Sequence, residues 1–196
     1  TNNANNTTTN NANNTTTNNA NNATTNNANN TVEPPAHACI VNGFTTTCDD
    51  PEPKINNAWH SGVALNNNKN VGCPSGDNLI TMDETYEGVM CHTEPGDWFR
   101  LGAVHCDTRT FFVEVTLTPK TECDPSLVNL KVNGYDCDHE RAFCPEMEGG
   151  AKRIILRFPA PTHGVVFALY FGVEAGELED SRLGVQFEYD LQVRAY

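Results

Sequence analysis

Asparagine followed two residues later by threonine is the acceptor triplet of N-linked glycosylation, and in this chain the triplets are confined to one end. Asn5, Asn6, Asn13, Asn14, Asn22 and Asn29 are acceptors, about one octad apart, and no asparagine after Thr31 sits in such a triplet. Thr7, Thr8, Thr15, Thr16, Thr24 and Thr31 carry the hydroxyls for O-linked sugar, the alternative chemistry. All of them lie in a segment built from Thr, Asn and Ala alone, reading TNNANNTT, TNNANNTT, TNNANNAT, TNNANNT. With no charge and no side chain larger than Asn, this segment has no burial to offset the roughly 1–2 kcal/mol per residue of ordering its backbone. It is expected to be extended, as a glycosylated stem, a linker, or a strand laid against another subunit.

The second reactive set is eight cysteines: Cys39, Cys48, Cys73, Cys91, Cys106, Cys123, Cys137 and Cys144. An even number at scattered spacings points to disulfides, and disulfides to an extracellular, secreted or surface setting. Zinc is the competing chemistry, because Cys91-His92, His105-Cys106 and Cys137-Asp138-His139 set His beside Cys; the absence of a CxxC pair argues against it. Short spacing makes Cys137–Cys144 an expected pair, and spacing leaves the other connectivities open.

For catalysis the sequence offers His37, His60, His92, His105, His139 and His163 in expected loops or strand ends. Glu33, Glu52, Glu84, Glu94 and Glu146 could supply a glycosidase-like carboxylate pair. Neither a G-x-S-x-G nucleophile turn, an H-E-x-x-H zinc helix nor a phosphate-binding glycine loop occurs, so no catalytic residue and no enzyme is expected. Hard oxygen ligands for a structural calcium stand at Asp49, Asp50 and Glu52, and again at Asp77, Asp83 and Glu84. Neither cluster follows the twelve-residue calcium loop, and solvated turn carboxylates are the preferred reading. Apart from that ion and covalent glycans, no cofactor is expected.

These groups need a scaffold, and residues 32–196 supply it, holding every charged, aromatic and cysteine residue in the chain. The net charge of −13 excludes a basic surface for nucleic acid or anionic lipid. No apolar run is long enough to span a membrane, and no charged-then-apolar leader opens the chain, as in a mature product. Apolar and polar residues alternate with period two, the mark of half-buried strands. Val185, Phe187, Tyr189, Leu191 and Val193 form the clearest set. Phe111, Val113, Val115 and Leu117 form another, then Val128, Leu130 and Val132, then Ile154, Leu156 and Phe158, then Val165, Phe167, Leu169 and Phe171. Earlier strands are expected at CIVNGF, SGVAL, NLITM, YEGVMC and DWFRLGAV, and turns at DDPEP, NNNKN, CPSGD, EPGD, VNGYD, EGG and PAPTHG. Without a helical repeat, the fold class is all-β: a disulfide-stapled antiparallel sandwich of jelly-roll-like form, preceded by the extended segment of residues 1–31.

Several landmarks recur in order. An acidic-Pro opening stands at Glu52-Pro53-Lys54-Ile55-Asn56-Asn57-Ala58, then Gly96-Asp97-Trp98-Phe99-Arg100-Leu101, then Val113-Glu114-Val115-Thr116-Leu117. Asp124-Pro125-Ser126-Leu127-Val128-Asn129-Leu130-Lys131-Val132 and Tyr189-Asp190-Leu191-Gln192-Val193 follow. From Asp49 onward this resembles the bacterial pre-peptidase C-terminal domain, a jelly-roll-like sandwich attached to secreted proteases and other exported proteins. The resemblance implies a domain without chemistry of its own. Lys54-Ile55 replace the family's acidic pair, so its calcium site is not carried over. Cysteine-rich members place a Cys before each of the first two landmarks, which implies a Cys48–Cys91 pair, in competition with Cys39–Cys48.

Two functions fit. The favoured one is an extracellular structural subunit of a glycosylated surface filament, partnered by copies of itself through residues 1–31. The alternative is a non-catalytic carbohydrate- or protein-binding module with the repeat as linker, using exposed aromatics such as Phe44, Trp59 or Tyr135; Trp98 is assigned to the core by its strand.

Overall fold

The alternating segments become strands where their period requires. The computed structural model of the protein describes residues 38–43, 48, 58, 62–73, 78–104, 106, 109–135, 140–159 and 166–196. In chain order the strands are β1 (Ile40–Asn42), β2 (Val63–Ala64), β3 (Val71–Gly72), β4 (Met82–Met90), β5 (Asp97–Val104) and β6 (Phe111–Pro119). They continue with β7 (Val128–Val132), β8 (Glu146–Glu148), β9 (Ala151–Phe158), β10 (Val166–Ala175), β11 (Leu183–Val185) and β12 (Phe187–Ala195). The helical turns among the described residues are short 3-10 pieces at Asn66–Asn68, Pro125–Leu127 and Arg141–Phe143.

One five-stranded sheet runs β4-β12-β6-β9-β8; the other runs β2-β5-β10-β7, with β3 also on β5, and β1 pairs β11 in a ribbon. Pairing is antiparallel except where β2 and β3 lie along β5. The inner faces meet in one core. Phe99 and Leu101 of β5, Leu130 of β7, and Leu169, Phe171 and Val173 of β10 pack with Val113, Val115 and Leu117 of β6, Ile154 of β9, and Tyr189, Leu191 and Val193 of β12. Each such side chain is worth about 1.5–3 kcal/mol when fully buried, which makes this apolar layer the main stabilising term. One polar pair is taken inside together: the Tyr189 hydroxyl donates to Asp97 Oδ2 at 2.9 Å, and both residues are fully buried.

Trp98 is buried as expected, at 5 % exposure, but on the opposite face of β5 from the main core: it alternates with the inward Phe99 and lies outside the core cluster. Its indole covers Gly172, its cross-strand partner on β10, where a Cβ would come within 2.5 Å of the ring. The expected strands NLITM and YEGVMC are one strand joined through Asp83, Glu84 and Thr85. Ile80 makes only an isolated bridge to Gly72. β3 and β8 were not legible, and of β11 only Val185 was read, as the start of the strand that becomes β12. They have two or three residues each, too few to display a period.

Asn-Gly and Gly-Gly make the sharp hairpins. Asn133 and Gly134 take φ of 53° and 81°, and Val132 and Tyr135 exchange both backbone hydrogen bonds around them, the mirror-image turn that suits twisted strands. The pairs Cys39–Cys123, Cys48–Cys91 and Cys73–Cys106 are bonded, with Cα separations of 5.1, 5.7 and 4.8 Å. Cys39 is therefore not joined to Cys48. Proximity in sequence loses to the sheet, which brings Cys39 to the residues that follow β6. Cys144 is also in a disulfide; Cys137, its expected partner, lies outside the described residues.

Candidate functional site

Many candidate side chains fall outside the described residues: the acceptors Asn5, Asn6, Asn13, Asn14, Asn22 and Asn29 with their threonines, the calcium candidates Asp49, Asp50, Glu52 and Asp77, and Glu33. His37, His60, His105, His139 and His163 do so too, as do Phe44 and Trp59. The rest are not brought together. Glu84 on β4 and Glu146 on β8 stand at opposite edges of a five-stranded sheet. Four strand spacings, about 19 Å, separate those edges, well beyond the 5–9.5 Å of a glycosidase pair. Asp83 and Glu84 are strand neighbours, not loop residues, so they point to opposite faces and cannot clasp one ion. Cys91 and Cys106 are in disulfides and so hold no thiolate for zinc. Among the described residues, no three His, Cys, Asp or Glu side chains group as metal ligands.

What does converge is a charge lattice on the outer face of the β6 sheet. Glu114, only 6 % exposed, is its hub: Arg153 Nε lies 2.8 Å from Oε1, the Tyr196 hydroxyl 3.1 Å from Oε2, and Arg194 Nη1 3.9 Å from Oε2. Arg194 also reaches Asp83, which accepts from Gln192 Nε2 at 2.9 Å. Lys120 bridges Asp190 and Glu87 at 3.0 and 3.1 Å. These cross-strand ties bind the face together within the subunit and commit Glu114 to structure, while Asp83 and Glu87 at the β4 margin stay mostly exposed, at 59 and 79 %.

The two long sheet edges differ in their backbone accounting. Phe112 and Tyr196 exchange both backbone hydrogen bonds, and by the antiparallel alternation the even-numbered residues of β12 bond β6. The odd-numbered ones then bond Met82, Glu84, Tyr86, Gly88 and Met90, so Asp83, Thr85, Glu87 and Val89 turn their N–H and C=O groups outward from the sheet. On β7 the same accounting, set by Asn133 N–H donating to Tyr170 O, turns Val128, Leu130 and Val132 outward. There the edge is capped at both ends around Leu130. Val132 exchanges both bonds with Tyr135, and Lys152 Nζ donates to Val128 O. Burial holds the Lys152 ammonium below its usual pKa, with Asp124 opposing the shift. On β4 the Tyr86 hydroxyl, donating to Glu84 and accepting from Asn66 N–H at 3.0 Å, is pushed up to about 12, chiefly by burial.

A cleft of about 320 Å³ opens between β9 and β10, floored by Leu156, Phe158, Phe167 and Leu169 and rimmed by Glu140 and Arg157. Phe158 stacks between Phe111 and Phe167, at 4.9 and 5.0 Å between centroids. The other exposed aromatic named from sequence, Tyr135, is 47 % exposed and sits in the turn that closes β7.

At the start of the described domain the chain is held in several ways. Cys39 is fully buried, bonded to Cys123, and its carbonyl accepts from Gln186 N–H at 2.8 Å. Beyond it β1 pairs with β11, and the His92 ring sits between Gly43 O and Gln186 Oε1, each 3.2 Å from a ring nitrogen. Sequence reasoning offered His92 to zinc or catalysis; its neighbours Gly43 and Gly184, whose lack of side chains makes room for the ring, were the missed signal. The chain matches no family model, no curated protein and no solved structure.

Proposed function

We propose that the protein is an extracellular structural subunit whose N-terminal octad repeat links or coats neighbouring subunits in a glycosylated filament. The anchoring at Cys39 carries this reading. The Cys39–Cys123 bridge spans 84 residues, and the other two described bridges lie within that span. A pull from the repeat passes through the bridge to the end of β6, the middle strand of its sheet, and bypasses residues 40–122. A mere linker needs no such root. The charge-free repeat can pack laterally without repulsion, and its acceptors would carry the coat. On this reading the sandwich is a variant of the pre-peptidase C-terminal domain, a view supported by the Cys48–Cys91 pair, and it performs no catalysis.

Negative-stain electron microscopy of the full chain, beside a chain beginning at Val32, tests the proposal. Filaments with a regular axial repeat from the full chain, and dispersed particles from the shorter one, are expected. Filaments from the shorter chain would overturn the role given to the repeat. The aromatic cleft favours the second reading, a binding module for carbohydrate or protein; it requires dispersed particles from both chains and equal ligand affinity in both.

A further inference from the structure

Resting on the reading of the chain as a self-assembling subunit, we infer that the outward edge of β4 is the docking strand for the octad repeat of another copy. The edge is nine residues long and presents the N–H and C=O groups of Asp83, Thr85, Glu87 and Val89, with no strand beside it among the described residues. Its competitors are excluded one by one. β7 is capped by Tyr135 at Val132 and by Lys152 at Val128 O, which leaves only Leu130 between them, β9 beyond β8 turns out only Ile155 and Arg157, and β2, β3 and β8 are too short to hold a strand by backbone bonding.

The chemistry selects the occupant. A second β4 laid antiparallel about Thr85 would set Asp83 against the other copy's Glu87 twice over, and opposed like charges destabilise a strand pair. A neutral strand meets no such repulsion, and the octads are neutral throughout. Their Asn amides and Thr hydroxyls also donate to the carboxylates that flank the edge. Lengths agree: eight extended residues cover about 27 Å and the nine of β4 about 30 Å. Because eight is even, an extended octad sets Ala4, Ala12, Ala20 and Ala28 on one face and Asn5, Asn13 and Asn29 on the other. With the alanines turned to the sandwich rim beside Tyr86, glycans on those asparagines stand in solvent. The contact is heterologous, joining one surface to a different one, and such contacts grow into filaments unless they close into a ring.

Amide exchange on the full chain, assembled and diluted to dispersed subunits, reads the site directly. Exchange at Asp83, Thr85, Glu87 and Val89 is expected to slow about tenfold or more on assembly, while Glu84 and Tyr86 change little. Thr85→Pro removes an outward N–H without touching the β12 ladder, and replacing Asn3, Asn11, Asn19 and Asn27 together with Ala4, Ala12, Ala20 and Ala28 by proline removes N–H groups from both edges of the donor strand while keeping length, charge and every acceptor triplet. The second set lies outside the folded domain, so it remains informative even if Thr85→Pro disturbs β4. Both are expected to abolish filaments. Filaments with unchanged β4 exchange, or filaments from the proline-repeat chain, would overturn the docking site alone. A wild-type chain that never assembles would overturn the parent reading and this one with it.

Discussion

The β7 and β4 edges belong to the same sandwich, yet one is capped at both ends and the other is open along its length. At β7, a two-residue turn folds Tyr135 back onto Val132, and Lys152 caps the carbonyl of Val128. β4 has only flanking carboxylates, and its outward backbone groups meet no protein partner among the described residues. Sealing an edge costs the desolvation of whatever caps it, here a lysine held below its usual pKa by burial. Charge alone leaves the edge pairable, selecting for a neutral partner over a copy of itself.

The contrast can be broken from the β7 side. The largest effect is expected from replacing both Cys39 and Cys123 by serine, since Cys123 leads into the turn before β7 and the bridge closes a long loop. A loss of about 2–5 kcal/mol in denaturant unfolding is anticipated. Asn133→Ala places a Cβ-bearing residue without a compensating side-chain bond at φ 53° and removes the Oδ1 that accepts from Tyr170 N–H at 2.9 Å. Together these are worth about 2 kcal/mol, of which Asn133→Gly should recover the dihedral part and lose only about 1 kcal/mol. Lys152→Met should cost about 1 kcal/mol and raise self-association in sedimentation experiments, because Val128 O is uncovered and β7 comes to resemble β4.

Titration sharpens the comparison with the smallest expected effects. Folding raises the Tyr86 pKa from 10.0 to about 12. Between those values the folded chain holds the proton and the unfolded one does not, so the contribution of Tyr86 is complete below pH 10 and fades as pH rises through about 12. Phenolate absorbance should show late ionisation from Tyr86 and from Tyr196, which burial and its bond to Glu114 also raise, and Tyr86→Phe should remove the step near pH 12. For Lys152 the sign reverses. Its folded pKa is depressed, so just below the usual lysine value the unfolded chain binds more protons and stability rises with pH. The wild type should show that rise and Lys152→Met should lack it.

Much of the sandwich was legible, because burying one face of a strand imposes a two-residue period. β5, β6, β7, β9 and β12 were read nearly to their ends for that reason. β4 was read as two pieces, since its inward positions include Glu84 and Gly88, and an edge strand satisfies them without a continuous apolar face. Trp98 was assigned to the core from its strand alone, but a residue between Asp97 and Phe99 belongs to the other face, and burial there came from the missing side chain of Gly172.

Composition and period by themselves determined the all-β class, the disulfide chemistry, the Asn-Gly turn at Asn133 and the contrast between a repeat that cannot bury anything and a domain that can, because each depends only on neighbours along the chain. The tertiary structure alone decided that Cys39 pairs with Cys123, that His92 holds the β1–β11 ribbon, that Glu114 gathers Arg153, Arg194 and Tyr196, and that β4 is left open while β7 is capped at both ends. Those outcomes rest on which strands become neighbours and which side of each backbone faces out, and a one-dimensional pattern sets neither, because residues far apart in the chain compete for the same partners.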